Sequence, residues 1–468
     1  FTNKTAELKK IKKEIKSSDY VNFCNSLKFL KRDLKDHQLK SLYHLYNAGC
    51  AANFSVPGSG KTSVVLAYYE KLRLEGKVNA IFVIGPTNCY HSWKDEFELN
   101  LGRNSNLTIF DDRYKPSKRK NIYENLLKSE LYASHFQTIK NDNALLKDFF
   151  LNNKFLLVVD EAHNIKKIGG TWSDAALNLS KISNYKIILT GTPMPNDFTD
   201  FYNYLEFLFG DNSIISNYEK ALLQKNMNDN ELDKVSSFLG ERLFPYYTRV
   251  TKKELNLSKT IFNKPTIVNM NPIEDKIYKA IITKIKYYPI EKYQSNIDII
   301  KKIRKARIIR LRQCCSYIKN LNTIIPEENN FQDNLFSESE IVKLITNYDK
   351  NEKPAKLIKL KSMVLDLIET NKKVLIWSTH LKTIDLIMDE LTNLNIFAKK
   401  ITGSTEVDER SRIKNEFNNN DSNLKIIVAN PQACSESISL HKCCHNAIYY
   451  DINYNTAEFL QSLDRIHR

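Results

Sequence analysis

The sequence predicts an α/β protein with two parallel-sheet halves in tandem and a helical region between them. Three observations carry this prediction. Short apolar runs at 80–84, 155–159 and 186–190 end in turns or polar residues and alternate with stretches of helical periodicity. A second series begins at Lys373, with runs at 373–377, 396–401, 424–429 and 447–450. Between the two, strand signals thin out and helical patterns bearing Phe201, Tyr204, Phe207 and Phe209 take over. The expected division is an N-terminal helical segment 1–33, a first α/β domain 34–196, a helical insertion 197–346 and a second α/β domain 347–468.

Bulk composition fits such a protein. At 468 residues the chain exceeds one average core, and 42% hydrophobic with 11% aromatic residues supports packed domains over disorder. The net charge of +16 favours a polyanionic partner over a merely soluble basic surface. The eight cysteines show no C-x-x-C spacing, which argues against a zinc ribbon or a disulfide framework. His441, Cys443, Cys444 and His445 crowd together too closely to face one metal and read as structural. There is no apolar run long enough to span a bilayer and no signal peptide, so no membrane partner is expected. Free thiols fit a reducing, cytoplasmic compartment. Phe1 stands where a Met would start the chain, and Arg468 ends it inside an apparent motif, so both ends are expected to be incomplete.

In chain order, residues 4–18 read as an amphipathic, Lys-rich helix. Gln38, in Leu34-Lys35-Asp36-His37-Gln38, has an amide that can both donate to and accept from an adenine edge. Some twenty residues on comes Ser55-Val56-Pro57-Gly58-Ser59-Gly60-Lys61-Thr62, between a short apolar run and a helical stretch. That is the context of a phosphate-binding loop: glycines let successive backbone N–H groups curl around a polyphosphate at a helix N-terminus. Lys61 is placed to reach the β- and γ-phosphates and Thr62 to ligate Mg²⁺, with Pro57, Gly58, Ser59 and Gly60 forming the cradle. The pattern asks for Gly at the first position, where this chain has Ser55.

The apolar run 80–84 leads into Gly85-Pro86-Thr87 and a helix carrying Trp93, which reads as core rather than as a base-stacking platform. A further strand is expected within 131–139. The run 155–159 delivers Asp160-Glu161-Ala162-His163, where Asp160 suits Mg²⁺ and Glu161 suits orientation of the attacking water. The run 186–190 ends in Thr190-Gly191-Thr192-Pro193; its hydroxyls can sense a γ-phosphate, although Gly and Pro alone also explain a turn. Further on, 299–312 forms a helix with a basic face bearing Lys305, Arg307, Arg310 and Arg312, suited to a phosphate backbone or simply to water. Residues 268–270 read as a short extended piece and 347–354 as a linker. The chain closes on Gln461-Ser462-Leu463-Asp464-Arg465-Ile466-His467-Arg468.

Taken in order from about Leu34 to Arg468, these motifs resemble those of helicase superfamily two ATPases, and most closely the Swi/Snf-type, chromatin-remodeller-like DNA translocases. The resemblance implies two RecA-like domains, ATP and Mg²⁺ as cofactors, and double-stranded DNA as partner. It assigns adenine contact to Gln38, coupling to Thr190, Gly191, Thr192 and Gln461, and arginine fingers to Arg465 and Arg468. It places nucleic-acid contacts at Pro86, Thr87, Gly403 and Gln432, and likens Tyr247-Thr248-Arg249 and Arg310-Leu311-Arg312-Gln313 to stretches of the helical protrusion. The family implies that ATP is hydrolysed between the two domains as they close. One stretch departs from the pattern: Cys434, Ser435 and Ser437 stand where a glycine-rich turn is usual, which removes backbone freedom and bears on coupling. The sequence is also similar to divergent bacterial members of restriction and antiphage loci, which implies nuclease or other protein partners and an antiviral role. A strand-separating DNA or RNA helicase, and a nucleic-acid-sensing ATPase switch that recruits a nuclease, share the nucleotide motifs and remain open.

Overall fold

The chain is described by a computed structural model. The structure describes all residues except 1, 14–17, 112–113, 125–127, 195–197, 211–213, 288–296, 323–338, 435–438, 455 and 468. Two compact units divide it, Phe1–Ser258 and Lys259–Arg468.

The first unit is built on a seven-stranded sheet in the order β3-β4-β2-β5-β6-β1-β7. Its strands are β1 (Cys50–Asn53), β2 (Ala80–Ile84), β3 (Thr108–Phe110), β4 (Leu131–Ser134), β5 (Phe155–Asp160), β6 (Tyr185–Leu189) and β7 (Tyr247–Thr248). Every pairing is parallel. Such a sheet needs helices on both faces, which is why β2 and nearly all of β5 are apolar without alternation and fully buried. Helices Lys61–Leu74, Tyr90–Leu101 and Thr171–Ser180 supply cover, with Val65, Tyr69, Trp93, Phe97 and Ala176 at or below 1% exposure. The order brings β5, β6 and β1 together, so the loops leaving their C-terminal ends lie side by side. Ligands of open α/β sheets bind at that edge.

The second unit has four parallel strands in the order β11-β8-β10-β9. These are β8 (Lys373–Trp377), β9 (Ala398–Ile401), β10 (Ile426–Ala429) and β11 (Cys444–Tyr449). Helices Ala355–Glu369 and Leu381–Asn393 bury Val364, Ile384 and Ile387 against one face. Phe417, Leu424 and Leu440 fill the other. Helices Pro272–Tyr287, Ile297–Ser316 and Ser339–Thr346 form a satellite cluster around Ile277, Ile318 and Ile345.

Several boundaries differ from expectation, each for a visible packing reason. The region expected as one helical insertion, 197–346, is shared between the units. Its first part, with helices Asp200–Phe209, Asn217–Asn228 and Leu232–Leu243, packs into the first core and then feeds β7. There Ala52 and Asn53 of β1 pair with Tyr247 and Thr248. The expected linker 347–354 contains a short helix, Tyr348–Asn351, whose Tyr348 is fully buried beside Tyr317. The expected extended piece 268–270 joins no ladder. The basic helix does not present a uniformly solvated face: Arg307 and Arg310 are 7% and 6% exposed, and Arg310 donates to the Leu321 carbonyl.

Candidate nucleotide-binding site

The loop after β1 folds as a phosphate cradle. Gly58 and Gly60 both take φ of 81°, a left-handed conformation that favours glycine, and Gly60 opens the helix Lys61–Leu74. Its first-turn N–H groups, with Lys61 and Thr62, stand where an anion is favoured. Lys61 folds back so that its Nζ donates to the Ser55 carbonyl at 2.9 Å.

Ser55 itself is buried, and its hydroxyl accepts the Val250 N–H at 3.0 Å. The Phe54 N–H donates to Thr248 and the Val56 N–H to Val250. The loop entry therefore continues the β1–β7 pairing, and the serine at the glycine position is a tether to the edge strand.

Gln38 lies over the loop. Its Nε2 donates to the Ser59 carbonyl at 3.2 Å while its Oε1 accepts the Lys35 N–H at 2.9 Å. His37 reaches the same Ser59 carbonyl. A Cβ added at Gly60 would come within 2.0 Å of Gln38 Nε2 and displace that amide, while the positive φ is what favours glycine there.

At the end of β5, the Asp160 carboxylate accepts two hydrogen bonds, from Trp93 Nε1 to Oδ2 at 2.9 Å and from the Glu161 N–H to Oδ1 at 3.0 Å. Desolvation, reinforced by the adjacent Glu161 charge, pushes the Asp160 carboxyl up to about 6. Trp93 and Lys61 pull the other way. Glu161 takes φ of 51°, a left-handed conformation rare for a side-chain-bearing residue, and opens the 3₁₀ turn Ala162–Ile165. That turn brings His163 Nδ1 to 3.3 Å from the Glu161 carboxylate.

After β6, Thr190 is fully buried. Its N–H donates to the Asn53 carbonyl and its Oγ1 accepts the Thr192 N–H. A Cβ on Gly191 would meet Pro57 at 3.0 Å, so this turn rests directly on the phosphate loop. The structure thus brings Gln38, the phosphate loop, Asp160, Glu161 and the Thr190–Thr192 turn to one edge of one sheet. Among the expected nucleic-acid contacts of this unit, Thr87 is exposed and Pro86 buried at the end of β2.

Of the candidate residues of the second unit, Gly403 and Gln432 follow the ends of β9 and β10, and Gln461 and Arg465 lie in and just after the helix Thr456–Leu463. Gly403 and Gln432 are exposed. Gln432 Nε2 donates to Glu458, and Arg410 holds the Gly403 turn through the Thr402, Gly403 and Thr405 carbonyls. Gln461 and Arg465 are 8% and 3% exposed. The Arg465 carbonyl accepts the Leu440 N–H at 2.8 Å. Of the departed turn, Cys434 is buried with its thiol pushed up to about 12 by desolvation. Ser435, Ser437 and Arg468 lie outside the described residues.

Sequence reasoning missed two residues at these edges. Trp93 is core as expected, yet it also donates to Asp160. Asp451, after β11, accepts from Ser316 and Ser378 and from both the N–H and the hydroxyl of Thr379. An aspartate directly after an apolar strand was the available signal for it.

A phosphate loop after β1 and paired carboxylates after β5 of one parallel sheet, followed by a second parallel-sheet unit, define a tandem-domain, helicase-like nucleotide-binding protein. The chain belongs to the SNF2-related family, a family of helicase-like ATPases: the SNF2-related domain matches residues 35–319 and the helicase conserved C-terminal domain residues 352–468. It is 26% identical to the CHD3-type chromatin-remodeling factor CHR7 of Arabidopsis thaliana over 98% of this chain and 36% of that protein. It is 25% identical to the human DNA repair and recombination protein RAD54B over 94% and 51%. An ATP-dependent helicase of Mycoplasma pneumoniae is 25% identical over 88% and 36%. The chain thus spans between about a third and half of these relatives. It is also similar to the Sulfolobus solfataricus SWI2/SNF2 ATPase core in complex with dsDNA, at a TM-score of 0.44 and 18% identity, covering 94% of this chain and 86% of that one. Among the described residues, no helix is long and apolar enough to cross a membrane.

Proposed function

We propose that this chain is the motor of an ATP-dependent DNA translocase. The observation that carries the reading is the order β5-β6-β1, which sets the Asp160–Glu161 pair and the phosphate loop at one edge of one sheet. In this reading Gln38 contacts adenine, Lys61 and the loop N–H groups hold the β- and γ-phosphates, and Glu161 orients the attacking water. Thr62 and Asp160 hold Mg²⁺; each Asp160 oxygen accepts one of the two hydrogen bonds just described, which leaves lone pairs for a cation. A bound Mg²⁺ neutralises charge developing on the phosphates. Thr190, Gly191 and Thr192 transmit the state of the γ-phosphate, since their turn rests on Pro57.

Arg465 and Arg468 act on the transferring phosphate, and Gln461 couples them to nucleic acid. Thr87, Gly403 and Gln432 contact the nucleic-acid backbone, with Pro86 shaping the first of these turns. The net charge of +16 and the likeness to a human DNA repair and recombination protein support DNA as the track. Backbone contacts make binding salt-sensitive and largely independent of sequence.

Steady-state ATP hydrolysis without nucleic acid, and with duplex DNA, single-stranded DNA or RNA, tests this beside Lys61→Ala. Stimulation by duplex DNA, abolished in the variant, is the expected result. Preference for single strands or RNA replaces the translocase with a strand-separating helicase. Turnover indifferent to every nucleic acid rejects both.

A further inference from the structure

The geometry points to Trp93 as a positioning residue that fixes the Asp160 carboxylate for a divalent cation, an inference that rests on the nucleotide-site reading above. Trp93 is 1% exposed in the helix Tyr90–Leu101, and a phenylalanine there would serve packing alone. What tryptophan adds is the indole N–H, a donor with no acceptor capacity. It donates to Asp160 Oδ2 at 2.9 Å while the Glu161 N–H donates to Oδ1 at 3.0 Å. Each oxygen thus receives one donor, and the two donors come from different elements. An ionised carboxylate offers about four lone-pair sites, so this arrangement fixes its plane and leaves both oxygens able to take a further ligand.

The same helix grips the other half of the site. Glu96, one turn after Trp93, accepts from Ser63 Oγ at 2.8 Å, within the first turn of the phosphate-loop helix. Asn100 Nδ2 donates to the same Glu96 carboxylate at 3.0 Å. Positions three and seven apart share one helix face. Through that face the helix holds the β5 carboxylate in register with the loop that carries Thr62. Groups that orient a metal ligand from behind typically govern about 10- to 100-fold in metal affinity.

The test is ADP binding by the whole chain, measured calorimetrically with Mg²⁺ and again with EDTA, for the wild type and for Trp93→Phe. Because Phe is smaller, a second variant places benzothienylalanine at position 93, which keeps the indole shape and lacks the N–H. The expected result is a loss of about 10-fold in Mg²⁺-dependent ADP affinity in both variants. Affinity in EDTA and the melting temperature of the isosteric variant stay at wild-type values. An unchanged ratio of Mg²⁺ to EDTA affinities in the isosteric variant overturns the inference. Loss of ADP affinity equally with and without Mg²⁺ also overturns it, since that is the mark of a merely structural role. If the wild type itself shows no Mg²⁺-dependent ADP binding, the nucleotide-site reading fails, and the inference with it.

Discussion

The two sheets end their strands in opposite ways. In the first unit the tips of β1, β5 and β6 carry groups held from behind, with capacity left in front. Asp160 has one donor on each oxygen, and Gly58 and Gly60 keep the loop open. In the second unit the tips of β8 and β11 are closed by Asp451, whose carboxylate is taken up by Ser316, Ser378 and Thr379. Ser316 also meets Thr383, which accepts from Asn320, so the network ties the helix Ile297–Ser316 to the sheet. A fully satisfied polar network rigidifies the elements it joins, whereas a carboxylate with lone pairs to spare can still take a ligand. The first sheet is therefore the one with room for a ligand at its strand tips, and the network of the second fixes the helix that bears Arg312.

Glu161→Gln is the sharpest way to break that comparison. Removing a water-orienting carboxylate typically costs about 10²- to 10⁴-fold in turnover, and here nucleotide binding should survive, since Lys61 and the loop are untouched. Single-turnover hydrolysis beside nucleotide binding measures the split. Wild-type turnover in the variant would remove the chemistry from the end of β5.

Asp451→Ala asks the converse question of the second unit. It strands several donors at once and should lower the local opening free energy around β8 by about 3 kcal/mol. Hydrogen exchange across 373–379 reads this directly, with the helix Lys61–Leu74 as the unaffected reference. Unchanged protection at 373–379 would show that Asp451 is not the clamp described.

Legibility from the sequence followed the same division. The phosphate loop and the Asp160–Glu161 pair were readable because their chemistry is local: glycines, a lysine and carboxylates at fixed spacing after apolar runs. So were the two parallel sheets, whose buried strands lack alternation. The contacts that support these groups were not readable, because they join distant segments. β7 is two residues long and pairs with β1 from nearly two hundred residues away, so no window of sequence reveals it. The Ser55–Val250 bond and the Trp93–Asp160 bond span the fold in the same way. Tyr348 misled because its neighbours are polar, yet one buried aromatic ring is enough to anchor a short helix. The basic helix misled because periodicity cannot tell a solvated arginine from one that reaches a buried carbonyl, as Arg310 does.

The smallest expected effect separates the units by acid sensitivity. The first buries a histidine and the second half-buries one. In the first, burial pulls His44 down to about 3, the Lys12 charge adds to this, and a hydrogen bond with the Pro245 carbonyl opposes it. In the second, burial lowers His380, but the neighbouring Asp451 carboxylate pulls the other way. An ordinary histidine titrates near 6.5. Above that pH His44 is neutral in both folded and unfolded chains. As pH falls from there toward 3, the unfolded chain binds a proton that the folded chain refuses, so stability is lost on acidification. By pH 5.5 the loss traceable to His44 is about 1.4 kcal/mol. His44→Gln retains a donor and cannot titrate, so its urea unfolding midpoint should change less between pH 7.5 and 5.5 than the wild type's does. His380→Gln should flatten the profile by a smaller amount, because Asp451 already offsets part of the burial. Equal flattening by the two variants would mean that the Asp451 network does not reach His380, and the contrast between an open first sheet and a closed second one would lose its electrostatic support.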